Sequence, residues 1–188
     1  MKTVTLLIGI FGGLLLAAAG CGHLLYADGP YRGRVLDAEM KQPIDGAAVV
    51  AVWSKETPMV AQPDITFYEA QETLTDQNGN FTIPGIVGGS PNPLAKIREP
   101  LFTIFKPGYE AYGMAGPAHL PEPEKDGRTI VELRRLATRQ ERLRNLDRVN
   151  LSYRIPEEKY PNLIRLRNIE RQSLGLSPTH IPKEEGRQ

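Results

Sequence analysis

The chain has 188 residues, 40% of them hydrophobic, with a formal net charge of +1. That length accommodates one ordinary domain plus an extension, and the near-neutral charge excludes a strong overall bias toward nucleic acid or acidic surfaces. With a single cysteine, Cys21, no internal disulfide can form, so a folded domain must be held by its core.

Taken in chain order, the N-terminus comes first. Lys2 precedes an uncharged apolar run from Val4 to Ala19, about 16 residues long. That is short for a spanning helix, which needs about 20, and has the length and small-residue ending of a signal peptide. A helical membrane anchor is the alternative. The run closes on Ala18, Ala19, Gly20 and Cys21, which resembles a lipobox of bacterial lipoproteins, with Ala18 where leucine is commoner. The resemblance implies cleavage between Gly20 and Cys21, diacylglycerol on the Cys21 sulfur and an acyl chain such as palmitate on the new amine. Several acyl chains give stable anchoring where one is marginal. Gly22 follows where an aspartate would signal inner-membrane retention. In a diderm host this implies the outer membrane, facing the periplasm.

Residues 1–20 are thus expected to be the leader and 21–29 an anchor linker. From 30 to 136 the pattern predicts short strands joined by turns. Tyr31 to Asp37 partly alternates. Pro43 and Asp45–Gly46 supply turn chemistry. Ala47 to Trp53 is rich in β-branched residues and apolar at both parities, which predicts a central strand buried on both faces or capped by a loop. Lys55 to Asp64, with Pro58 and Pro63, reads as loop. Phe67 to Thr75 reads as a strand, Asn78–Gly79 as a hairpin turn and Phe81 to Pro84 as the next strand. Leu101 to Phe105 and Arg128 to Leu133 complete the set, predicting an antiparallel β-sandwich.

Five segments in order carry a second resemblance: Gly33 to Asp37, Pro43 to Ala47, Ala51 to Trp53, Thr75 to Pro84, and Phe105 to Tyr109. Together they are similar to the carboxypeptidase regulatory-like domain, a transthyretin-like (prealbumin-like) β-sandwich, over about 105 residues. The loops around Pro58 to Ile65 and Pro84 to Pro100 are longer than the compact family pattern. The resemblance implies Gly46 and Gly79 at turns, Val35, Val49, Phe81 and Ile83 between the sheets, and Asp76 in an Asx-type turn. It also implies a noncatalytic accessory role.

No catalytic, cofactor or metal residues are expected. Counting from Asp76, Gly79 is fourth and Val87 twelfth, which fits a turn and not an EF-hand loop. His23, His119 and His180 lie far apart, so zinc-ligand spacing is missing. Sandwich enzymes related to transthyretin need several motif histidines, and His119 is the only one between 30 and 136. An enzyme or small-ligand binder using the long loops would have to bring together Asp64, Glu69, Glu72, Asp76 and Tyr109. A carbohydrate binder would group Trp53, Phe67, Tyr68 and Tyr112 on one exposed face, although Trp53 also reads as core.

Residues 137–188 are expected to form a basic helical extension. Leu136, Leu143, Leu146 and Val149 share one side of a first helix, and Arg139, Arg142, Arg144 and Arg148 lie mostly elsewhere. A second helix begins near Glu157, Glu158 and Pro161, with Leu163, Leu166, Ile169 and Leu174 as its apolar side and Gly175 as its stop. Packing on the sandwich is one reading, and a basic surface for anionic lipid or an acidic protein patch is the other. The expected partners are the membrane, through lipid on Cys21, and an envelope protein; nucleic acid is not expected.

Overall fold

Nine strands and two α-helices make up the fold, in a computed structural model that describes residues 25–113, 118–149, 151 and 154–179. The strands are β1 (Tyr26–Ala27), β2 (Tyr31–Asp37), β3 (Ala48–Thr57), β4 (Asp64–Leu74), β5 (Asn80–Ile83), β6 (Val87–Gly88), β7 (Lys96–Ile97), β8 (Leu101–Phe105) and β9 (Thr129–Leu133). Helix α1 spans Arg139–Arg148 and α2 spans Pro161–Ser173, with a short 3-10 turn at Glu157–Lys159 between them. The protein is mainly β, with 36% strand and 18% helix.

One sheet has the order β5-β2-β9. In the other, β3 is central: β4 pairs along one edge, while β8 and then β7 pair along its opposite edge. β1 and β6 form a separate two-stranded ribbon. Most pairings are antiparallel, but β2 and β9 run parallel, from Gly33 opposite Thr129 to Asp37 opposite Leu133. This corrects the wholly antiparallel expectation. A parallel partner needs a long crossover, and the chain between Asp37 and Thr129, which builds the other sheet, supplies it.

β3 explains the architecture. Side chains alternate across a strand. Val49, Ala51 and Trp53 therefore face the other sheet and join Val35, Phe81, Ile83 and Phe102 in the inner core. Ala48 and Val50 face outward, where Phe105, Leu163, Ile164 and Leu166 cover them. The strand is buried on both faces, as its composition predicts, and the cover on the outer face is the C-terminal extension. The packing reading of that extension holds for the described helices.

Three local expectations need correction. The loop expected over Lys55 to Asp64 is confined to Pro58–Pro63, because β3 runs on to Thr57 and β4 starts at Asp64. The segment from Pro84 to Pro100 contains β6 and β7. Asn78–Gly79 does not join paired strands, because β4 pairs with β3 while β5 pairs with β2. It turns the chain from one sheet to the other. Asp76 Oδ1 accepts from the Asn78 and Asn80 amides at 2.9 and 2.8 Å, the expected Asx-type turn. Gly79 has φ +75, and a Cβ there would lie 2.5 Å from the Val35 carbonyl oxygen.

The second helix begins at Pro161 as expected, but Glu157 and Glu158 fall in the 3-10 turn before it and not in its first turn. Thr138 caps α1: its hydroxyl accepts from the Glu141 amide, and the Glu141 carboxylate accepts from the Thr138 amide. Pro161 opens α2, and Gly175, at φ +74, follows its end. On α2, Leu163, Ile164, Leu166 and Leu174 are buried, but Ile169 is exposed. The buried face is thus centred on Leu163 and Glu170 and extends toward Ile164, which leaves Ile169 on the exposed flank.

Candidate functional site

The densest polar cluster at the N-terminal end of the fold centres on Asp28. β1 pairs with β6 and brings Asp28 beside Ile86: the Asp28 amide donates to the Ile86 carbonyl at 3.1 Å, and the Ile86 amide donates to Asp28 Oδ1 at 3.2 Å. Asp28 Oδ2 accepts from the hydroxyls of Tyr26 at 2.5 Å and Tyr31 at 2.7 Å, and from Trp53 Nε1 at 2.8 Å. Partial burial alone would push the Asp28 carboxyl up. The bonds from Trp53, Tyr26, Tyr31 and the Ile86 amide outweigh it and hold the carboxyl below the ordinary aspartate range. Tyr26 and Tyr31 are held neutral by burial and by the adjacent carboxylate. The cluster consists of one anion saturated by donors, so chemically it is a fastener with no free base. The sequence reading places 21–29 in a linker, whereas β1 and Asp28 belong to the fold.

A cavity of about 290 Å³ opens beside this cluster, with Tyr31, Arg32, Glu99, Phe102, His119 and Glu122 in its wall. His119 Nδ1 lies 4.0 Å from a Glu99 carboxylate oxygen, and both side chains are largely exposed. The Tyr112 hydroxyl donates to the His119 carbonyl, which fixes the backbone there. Tyr31 stacks edge-on against Phe102, with ring centroids 5.3 Å apart.

The acidic candidates are not brought together. Asp64 pairs with Thr57 at one end of the β3–β4 ladder and Leu74 pairs with Ala48 at the other. At about 3.3 Å per residue, Asp64 and Asp76 are thus roughly 35 Å apart. Glu69 Oε1 accepts from Lys159 Nζ at 2.7 Å. Glu72 serves α2: its oxygens accept from the Asn162 amide at 2.8 Å and the Leu163 amide at 2.7 Å. Tyr160, at the head of that helix, makes no side-chain cap bond, so a carboxylate from β4 fills the role. Burial pushes the Glu72 carboxyl up despite these amide bonds. Tyr109 donates to Asp37 at 3.1 Å and accepts from Arg135 at 2.6 Å, with the guanidinium over its ring. The aromatic candidates do not form an open platform: Trp53 is fully buried, and Tyr68 turns its hydroxyl to Gly89.

Gly20, Cys21, His23 and His180 lie outside the described residues. Among the described residues, no group of three or more His, Cys, Asp or Glu side chains is placed to hold a metal ion. No helix there is long and apolar enough to cross a membrane.

In the extension, several charges hold structure together. Arg142 forks onto Glu170 through Nε and Nη2 at 2.8 and 2.7 Å, and Glu170 is wholly buried. Arg139 donates to the Leu174 carbonyl. Asn145 accepts from the Ala111 amide and donates to the Tyr109 carbonyl, tying α1 to the sheet edge. Arg144 and Arg148 remain exposed. Sequence reasoning missed Asp28, Asp37, Asn145 and Glu170. Glu170 had a signal: it falls on the apolar stripe of Leu163, Leu166 and Leu174, where a charge requires a buried partner.

No family model, curated protein or solved structure matches the chain significantly.

Proposed function

We propose that the chain is a lipid-anchored cell-envelope protein. Its β-sandwich, of the transthyretin-like type, acts there as a noncatalytic binding or scaffolding module. Cys21 carries the lipid, and in a diderm host the protein sits on the outer membrane facing the periplasm. The observation that carries the reading is the uncharged apolar run closing on Ala18, Ala19, Gly20 and Cys21. Two further features support it. The fold begins almost at once after that cysteine, with β1 starting at Tyr26. The carboxylates of Asp28, Asp37, Glu72 and Glu170 are each engaged in holding elements together. The transthyretin-like assignment draws support from Gly46 and Gly79 at positive-φ turns, and from Val35, Val49, Phe81 and Ile83 in the inner core.

The test compares wild type with Cys21→Ser in a diderm host, by intact mass and detergent partition. The expected wild-type product starts at Cys21, carries acyl mass and partitions with detergent; the serine variant loses both properties. A full-length or unlipidated wild-type chain would refute the reading. Crosslinking in the envelope then identifies the partner.

The cavity at Tyr31, Arg32, Glu99 and His119 favours a second reading, a small-ligand site for a compound with polar edges. It predicts a ligand-induced rise in thermal midpoint that Arg32→Ala abolishes, and no response across a broad small-molecule panel would remove it.

A further inference from the structure

The end of the sandwich where the chain enters is unlike the opposite end. Strand pairing fixes which residues share it. Thr57 faces Asp64 across the β3–β4 tip, and Glu56 faces Lys96 across β3–β7. Continuing that second register by two positions brings Leu94 level with Pro58. In the other half, the chain climbs from Ile83, opposite Tyr31, past Val87 and Gly88, opposite Ala27 and Tyr26, toward Lys96. Leu25 prolongs β1 in the same direction. Leu25, Met59, Val60 and Leu94 are all exposed there, at 79%, 64%, 110% and 67%. No residue from Pro58 to Pro63, or from Pro84 to Ala95, carries a charge, in a chain that is 24% charged. The opposite end holds Glu39, Lys41, Asp45, Asp76 and Lys106 in its turns. Grouped exposed apolar side chains on one end mark an interaction surface.

We propose that this end makes a second, noncovalent contact with the bilayer, Met59, Val60 and Leu94 entering the boundary between headgroups and acyl chains. The inference rests on the lipoprotein reading. Leu25 stands four positions after Cys21, and an extended chain spans at most about 3.6 Å per residue, so the two are within about 14 Å. A fold tethered that closely presents to the lipid the end that carries Leu25, and that is the uncharged, apolar end. The charges nearest the tips, Lys55, Glu56, Asp64 and Lys96, lie in the strands behind them, and Arg98, just past β7, pairs with Glu56. Because the tether makes the encounter intramolecular, a few shallow side chains suffice where a free protein would need a large surface.

The test uses the mature lipidated protein, starting at Cys21, in vesicles of phosphatidylethanolamine and phosphatidylglycerol, some carrying bromine on the upper acyl chain. A fluorophore is placed at Val60→Cys, at Leu94→Cys or, at the charged end, at Glu39→Cys. The thioether at Cys21 leaves each new thiol unique. Bromolipid is expected to quench the two tip labels about twofold or more and to spare Glu39, since interfacial side chains sit about 5–10 Å into the boundary. Val60→Asp with Leu94→Asp is expected to abolish quenching of a label at Met59→Cys while acyl mass and thermal midpoint hold. Equal or absent quenching at tip and control, in protein of confirmed acyl mass, overturns the contact alone. Tip labels that report one another and not the lipid also overturn it, in favour of a second copy of the chain. Protein without acyl mass overturns the lipoprotein reading, and the contact with it.

Discussion

Replacing Asp28 by asparagine keeps the shape of the hub and removes its charge. Oδ2 accepts three donors, from Tyr26, Tyr31 and Trp53, and Oδ1 accepts the Ile86 amide. An amide offers one acceptor oxygen and a donor group in place of the second. The two tyrosine hydroxyls can rotate and accept from the new amide, but the indole N–H of Trp53 can only donate. One charge-assisted bond is therefore lost or weakened, an effect of about 1.5–3 kcal/mol, and the half-exposed position favours the lower part of that range, about 2 kcal/mol. At about 2–4 °C per kcal/mol for a domain of this size, the thermal midpoint should fall roughly 4–8 °C. Trp53 is the only tryptophan, so its emission reports both unfolding and the state of the hub. The pH dependence is a second check. Asp28 titrates lower in the folded protein than when unfolded, so its stabilisation is complete above the unfolded value of about 3.9 and is lost as pH falls through the folded one. The gap between wild type and Asp28→Asn should be constant from about pH 5 to 8 and shrink below about pH 4. A variant within about 0.5 kcal/mol of wild type at pH 7, or a gap that widens on acidification, would refute the reasoning.

Three further predictions concern the helices. Arg142→Ala strands a buried Glu170 and should cost about 3–5 kcal/mol in urea unfolding, whereas Arg142→Met with Glu170→Leu should be near neutral or stabilising. Glu72→Ala removes the cap that β4 lends to α2 and should cost about 0.5–2 kcal/mol, with faster hydrogen exchange at the Asn162 and Leu163 amides. Leu163→Ala opens a cavity over Val50 and Phe105 and should cost about 2–5 kcal/mol, read as a lower urea midpoint with unchanged slope.

Elements whose signals are local were legible in the sequence. Ala47 to Trp53 announced burial on both faces because its apolar residues occupy both parities, and Pro161 and Gly175 marked the start and stop of the second helix. Signals that depend on partners were not. Asn78–Gly79 has the chemistry of a tight turn, and the sequence alone cannot tell a hairpin from a crossing between sheets, since both demand the same left-handed glycine. The parallel partner of β2 arrives from the far end of the chain, where no local pattern reports direction. Asp28 looked like linker because its donors lie at Tyr26, Tyr31, Trp53 and Ile86, two of them distant in sequence. The acidic candidates failed for a simpler reason: β4 is long enough to carry Asp64 and Glu72 to different parts of the fold.

The double burial of β3 also sets an order on synthesis. Ala48 and Val50 leave the ribosome well before Leu163, Ile164 and Leu166, which cover them. At about 5–20 residues per second, the outer face of the central strand is uncovered for roughly 5–25 s. For that interval the chain presents an apolar sheet face that only its own C-terminus is built to cover. A premature stop before α2 would therefore leave a nearly complete sandwich with an adhesive side. Such a fragment should aggregate instead of functioning as a smaller version of the protein, which makes the last helix a condition of solubility as much as an addition to the fold.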